Sequence, residues 1–183
     1  MGGNHLLPCY IKCFNTISNV LQWEAMEKKV NEGEFYEPLK EWLESEGYRA
    51  LITAGKRQVL LTTGSLLGVI SYLEPDVVGY RREGYVEYLV IVEAKADPMH
   101  LLDGLGRCCV YQLVADYVYL ALSKVLVDKI GPGSLYEELG VGVLSVSGKD
   151  VQVKVKAQEK YTQRYELRKV LMDIVKASLG IGE

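Results

Sequence analysis

The fold turns on Glu74-Pro75-Asp76-Val77-Val78-Gly79-Tyr80 and on the run Tyr88-Leu89-Val90-Ile91-Val92-Glu93-Ala94-Lys95-Ala96-Asp97. Leu89 to Val92 is apolar without alternation, the pattern of a central strand covered on both faces. Alternate residues of a strand share a face, so Glu93 and Lys95 point the same way at its end. A carboxylate and an amine in that position cost desolvation free energy unless a partner offsets it. For the carboxylate, a bound cation is such a partner.

Whether Asp76 joins them depends on the turn between the strands. A two-residue turn at Glu83-Gly84 sets Asp76 opposite Ile91 and diagonal to Glu93, on the same face. A four-residue loop sets Asp76 directly opposite Glu93, and a three-residue loop puts it on the other face. Two of the three simplest connections therefore gather Asp76, Glu93 and Lys95 on one patch. Two carboxylates and a nearby backbone carbonyl make a hard oxygen site suited to Mg²⁺ or Mn²⁺. A metal there polarises a phosphoryl oxygen and lowers the pKa of a bound water. The lysine orients that water and offsets charge developing on the phosphate.

Asp76, sixteen intervening residues and then Glu93-Ala94-Lys95 resemble the signature of the PD-(D/E)XK nuclease superfamily, the restriction-endonuclease-like fold. The resemblance runs from roughly Glu34 to Val155. It implies that Asp76 and Glu93 are metal ligands, that the Ala94 carbonyl is a further ligand, and that Lys95 is the catalytic lysine. It further implies a glutamate from the first helix, for which Glu34 and Glu37 are the candidates and Glu32 a third. The family's next helix often carries Gln-x-x-x-Tyr facing the site. The matching spacing here is Arg107-x-x-x-Tyr111, with arginine departing from the family's glutamine.

Working outward, Phe35, Leu39, Trp42 and Leu43 recur at helical spacing and predict a helix over 34–46, stopped by Gly47. Pro38 fits that helix only in its first turn. Strands are expected at 48–53, 58–62, 75–80 and 86–95, with Arg81-Arg82-Glu83-Gly84 as the turn between the last two. Residues 64–72 are ambiguous between a connection and a strand. Asp97-Pro98 is an N-cap signature for a helix over 98–114. A strand over 116–123, a hairpin of 141–146 with 151–157 and a closing helix over 161–179 complete the chain. Residues 1–25 read as an N-terminal arm and 26–183 as the nuclease-like domain. The order predicts an α/β fold, a mixed central sheet flanked by helices.

The 183 residues are 49% apolar and 25% charged, enough for a sizeable core and unlike disordered or collagenous chains. With 21 basic against 24 acidic residues the net charge is −3, which excludes a generic polycation that coats nucleic acid. Charge is uneven, however. Glu24 to Glu46 holds 8 acids and 3 bases, and Lys149 to Lys176 holds 8 bases and 4 acids. The basic stretch reads either as solvated faces or as one wall of a phosphate-binding groove. Arg81 and Arg82 are surface charges or contacts to a nucleic-acid backbone.

Only two histidines, His5 and His100, argue against histidine-rich zinc chemistry. Cys9 and Cys13 are four apart, and Cys108 and Cys109 are helix neighbours pointing about 100° apart, poor geometry for one metal. All four are read as free thiols. No phosphate-binding loop exists, because in neither Gly55-Lys56 nor Gly148-Lys149 is there a second glycine five residues before the first of the pair. The N-terminus lacks a signal-peptide pattern and no run is long enough for a membrane helix, so a cytoplasmic protein with no membrane partner is expected.

These residues point to a Mg²⁺- or Mn²⁺-dependent nuclease. Asp76, Glu93 and Lys95 carry the catalysis, and the Ala94 carbonyl with Glu34 or Glu37 completes the metal shell. Arg107, Tyr111, Arg81 and Arg82 contact the substrate. The resemblance implies hydrolysis of DNA to 5′-phosphate products, with a homodimer as a family-style arrangement. The alternative reading is a nuclease-fold protein that binds nucleic acid or a protein partner without cutting. A third is an assembly subunit whose acidic cluster only stabilises the sheet.

Overall fold

The computed structural model describes residues 30–56, 61–62, 72–131, 133–160 and 165–181. Asn31–Glu183 form a compact unit. The expected arm, Cys9, Cys13 and most of the 58–72 region lie outside the described residues.

Helix α1 (Gly33–Ser45) leads into β1 (Arg49–Ile52). A two-stranded sheet follows, β2 (Leu61–Thr62) with β3 (Tyr72–Leu73). Then come β4 (Val77–Glu83), β5 (Val86–Lys95), a 3-10 turn (Pro98–His100) and α2 (Leu101–Tyr111). The chain continues through β6 (Tyr117–Ser123), α3 (Lys124–Ile130), α4 (Ser134–Leu139), β7 (Gly142–Ser147), β8 (Asp150–Val155) and α5 (Tyr165–Ser178). The main sheet has six strands in the order β1-β4-β5-β6-β7-β8. Its two outer pairings on the β1 side and the β7–β8 pairing are antiparallel, whereas β5–β6 and β6–β7 are parallel. The expected α/β class and mixed, helix-flanked sheet are therefore present.

Strand β5 is central, and its residues divide between two cores as period-2 geometry requires. Val90, Val92 and Ala94 pack with Phe35, Leu39 and Leu43 of α1 on one face. Leu89 and Ile91 pack on the other with Leu105, Cys108 and Tyr111 of α2, Tyr136 of α4 and Leu171, Met172 and Val175 of α5. Glu93 and Lys95 belong by alternation to this second face. Among the described residues no helix is long and apolar enough to cross a membrane.

Several boundaries differ from expectation for physical reasons. Helix α1 starts at Gly33, whose N–H donates to the Asn31 side chain at 3.0 Å, so Pro38 sits in the second turn rather than the first. A proline there removes a helical hydrogen bond, at a cost of about 3 kcal/mol. Burial of Phe35, Pro38, Leu39 and Leu43 on one stripe opposes that cost. Strand β4 runs through Arg81, Arg82 and Glu83, and the turn is Gly84-Tyr85, with Gly84 at φ +61°. Glycine takes that conformation without steric cost, which draws the turn one residue beyond Glu83-Gly84. Helices α3 and α4 were not expected. They are seven and six residues long, too short to show a helical period, and a glycine-rich connection divides them. Where a simple β7–β8 hairpin was expected, β7 also pairs in parallel with β6.

Candidate functional site

The shifted turn decides the geometry. Val77 pairs with Val92 and Glu83 with Val86, so carrying the register one residue further sets Asp76 across from Glu93. The arrangement anticipated from a four-residue loop is reached by a two-residue turn placed one residue later. The backbone before β4 is held by β1 and the residues after it. Thr53 and Ala54 donate their N–H groups to the Asp76 carbonyl at 2.9 and 3.2 Å, and the Thr53 hydroxyl donates to the Pro75 carbonyl. Across the strand pair, the Ala94 N–H donates to Asp76 Oδ2 at 2.7 Å. Asp76, Glu93 and Lys95 are all buried, with Glu93 0% exposed.

Charges surround Glu93. Lys95 Nζ lies 2.9 Å from Glu93 Oε1, and an Arg107 guanidinium nitrogen lies 3.4 Å from the same oxygen. The Tyr111 hydroxyl donates to Glu93 Oε2 at 3.3 Å. Lys95 also donates to the Ala94 carbonyl at 2.9 Å and stands 3.7 Å from Glu32. Burial, then the nearby Asp76 charge, push the Glu93 carboxyl up to about 7 against the pull of Lys95. Burial likewise raises Asp76, although the Ala94 N–H bond acts the other way. Burial opposes the charge on Lys95, but Glu93 outweighs it and the ammonium is held above its ordinary value. Two carboxylates thus share a buried corner, where burial and their mutual repulsion oppose ionisation and Lys95 and Arg107 favour it.

Of the residues expected to contribute, Asp76, Glu93, Lys95, Arg107 and Tyr111 are brought together. The expected helix glutamates are not. Glu34 and Glu37 are exposed, and Glu37 lies 3.9 Å from Lys40. The reason is the phase of α1, which commits Phe35 and Leu39 to the core and turns both acids outward. Glu32, just before the helix, is the acid that approaches. It accepts from the Ala96 N–H at 3.3 Å as well as facing Lys95. Arg81 and Arg82 also stand apart. They lie five and six residues along β4 from Asp76, about 17–20 Å at about 3.3 Å per residue. Arg81 stacks over Tyr48 at 4.5 Å, and Arg82 donates to the Gly84 carbonyl.

Two contributors had no sequence signal of their own. Tyr36 on α1 carries a phenol raised by burial and by the carboxylates Asp76 and Glu32. Gly104 on α2 leaves room for the Lys95 stem, because a Cβ there would meet Lys95 Cγ at 2.6 Å. Cys108 is buried beside the Tyr119 carbonyl and burial raises its thiol, the state of a packed thiol rather than a ligand.

Among the described residues no three His, Cys, Asp or Glu side chains gather into a metal cage. The expected donor set is Asp76, Glu93 and the Ala94 carbonyl. It matches the habit of Mg²⁺, which binds through one or two carboxylates and completes its shell with water or substrate phosphate. Glu93 Oε1 is a buried oxygen without a well-formed hydrogen bond despite its two cationic neighbours. The residues present therefore fit a small divalent ion.

No protein-family model matches the chain, and no curated protein is similar to it. Among solved structures, the chain is similar in fold to a protein of unknown function from Silicibacter pomeroyi. The TM-score is 0.53 at 14% identity, over 85% of this chain and 88% of that one. The likeness concerns the path of an α/β chain with a mixed sheet.

Proposed function

We propose that the protein is a metal-dependent nuclease of restriction-endonuclease-like fold that hydrolyses phosphodiester bonds in DNA. The observation that supports this reading most is the register across β4 and β5, which aligns Asp76 with Glu93 and leaves Lys95 within 2.9 Å of Glu93. Asp76, Glu93 and the Ala94 carbonyl would hold Mg²⁺ or Mn²⁺. Such an ion, when bound, supplies a polarised phosphoryl oxygen and a more acidic water. Lys95 orients the attacking water and offsets charge on the phosphate as it develops. Tyr111 fixes the plane of the Glu93 carboxylate through its hydrogen bond. Arg107, 35% exposed at the rim, turns its guanidinium to a phosphate oxygen.

The test is incubation with supercoiled, linear, branched and single-stranded DNA in Mg²⁺ or Mn²⁺. Cleavage is expected in the wild type and is lost in Asp76→Ala and in Lys95→Ala. Cleavage that survives both substitutions, or none with any DNA form, sinks the proposal. One observation favours the non-catalytic alternative: Lys95 and Arg107 already neutralise Glu93 without an ion. Under that reading DNA is retained, not cut, and divalent ions leave the melting temperature unchanged.

A further inference from the structure

The basic C-terminal stretch faces a cavity that the catalytic proposal does not use. It has a volume of about 440 Å³ and lies between the β4–β5 turn and α5. Tyr85 and Val86 form one rim and Tyr165 with Lys169 another, while Met172 lies buried behind them. Tyr85 is 98% exposed and Tyr165 is 70% exposed. Two large, exposed aromatic rings beside one cavity present stacking faces that no other aromatic ring covers among the described residues. Tyrosine is suited to such use, because it offers a flat apolar face at little cost in side-chain freedom.

The charges are divided between scaffold and solvent. Arg168 is committed inward, 3.0 Å from Asp116 and donating to the Glu87 carbonyl at 2.7 Å. Lys176 is paired with Glu87 at 3.2 Å, and Glu87 also accepts from the Tyr80 hydroxyl. These bonds tie α5 to β5 and neutralise Glu87, while the second acid of the lining, Asp173, lies 4.0 Å from Lys176. Lys169 has no ion-pair partner among the described residues and is left to meet an anion. A ligand that fits has a flat ring and an adjacent negative charge, which is the chemistry of a nucleotide within a single strand. The volume lies within the range of sites that hold one such unit.

We infer that the cavity between the β4–β5 turn and α5 binds single-stranded nucleic acid, with a base against Tyr85 and Tyr165 and a phosphate on Lys169. The inference deepens the nuclease reading by naming a strand-holding site away from the acids, and it survives separately if cleavage is absent. Val86 and Glu93 are seven residues apart on β5, about 23 Å at about 3.3 Å per residue. A bound strand therefore reaches the acidic corner only if it spans about 23 Å across the sheet.

The experiment is fluorescence anisotropy of the full chain with a fluorescein-labelled oligothymidylate of about 15 nucleotides in EDTA and low salt. EDTA separates holding from cutting. Wild type and Asp76→Ala are expected to bind alike. Tyr85→Ala, Tyr165→Ala and Lys169→Glu are each expected to bind about 10-fold more weakly, with unchanged melting temperature because all three side chains are exposed. Lys169→Arg is expected to keep affinity. No binding by the wild type overturns the inference, as does wild-type affinity in the three cavity variants. Loss of binding in Asp76→Ala alone also overturns it, by moving the strand to the acidic corner.

Discussion

Gly104 lies against the stem of Lys95: a Cβ on Gly104 would stand 2.6 Å from Lys95 Cγ, 3.3 Å from its Cε and 3.1 Å from Leu120 Cδ1. The crowded atom is close to the root of the lysine side chain, so the whole side chain must shift, not just its tip. On the nuclease proposal, Gly104→Ala is therefore expected to move the ammonium off Glu93 and to reduce cleavage by at least about 10-fold. Overpacking costs about 1–3 kcal/mol, and the better helix propensity of alanine returns about 1 kcal/mol. Cleavage rate and thermal melting measured together check this. A variant with full activity would show that Lys95 is not held where its packing against α2 puts it.

Glu93 and Lys95 depend on one another in the metal-free protein. Lys95→Met leaves a buried carboxylate with the Tyr111 hydroxyl and, as its cation among the described residues, Arg107 at 3.4 Å, and losing one partner of a buried pair costs about 3 kcal/mol. The double variant Lys95→Met with Glu93→Gln removes the charge as well and recovers most of that loss. Urea unfolding in EDTA measures the cycle. Strict additivity of the two substitutions would mean that the pair is not coupled.

Metal is expected to stabilise the wild type by mass action. Saturation at 100 times the dissociation constant adds about 2.7 kcal/mol. Asp76→Asn keeps a side-chain oxygen to accept from the Ala94 N–H but gives up the charge, so its fold is retained and its Mn²⁺-dependent rise in melting temperature is lost. Equal rises in variant and wild type would remove Asp76 from the donor set.

Glu87 sets a pH dependence remote from the acids. The Tyr80 hydroxyl holds its carboxyl below the ordinary value, burial opposes this, and Lys176 adds to the lowering. A depressed acid contributes stability that is complete above its unfolded pKa and is lost as pH falls through the lower folded value. The loss therefore belongs below about pH 4.5, the ordinary glutamate value. Glu87→Gln is expected to flatten the acid limb of the stability curve while leaving the neutral limb shaped as before. Denaturant midpoints across pH 3–7, the range in which carboxylates titrate, check it.

Sequence alone determined what local geometry controls. Alternation along β5 placed Glu93 and Lys95 on one face, because side chains of a strand repeat every two residues. Asp97-Pro98 opened the following helical segment, where the Asp97 side chain accepts from the Met99 N–H at 2.8 Å. The phase of Phe35, Leu39 and Leu43 gave the buried stripe of α1. Tertiary structure decided the rest. Glycine at position 84 selected among turns that the sequence left open, and one residue of register settled which pair of β-residues meets Asp76. The rotation of α1 about its axis, set by core packing, turned Glu34 and Glu37 to solvent and left Glu32 beside Lys95. The approach of α2 to β5 placed Arg107 and Tyr111 around Glu93 and made Gly104 necessary. The placements of α1 and α2 are contacts between elements distant in the chain, and no local period in the sequence encodes them.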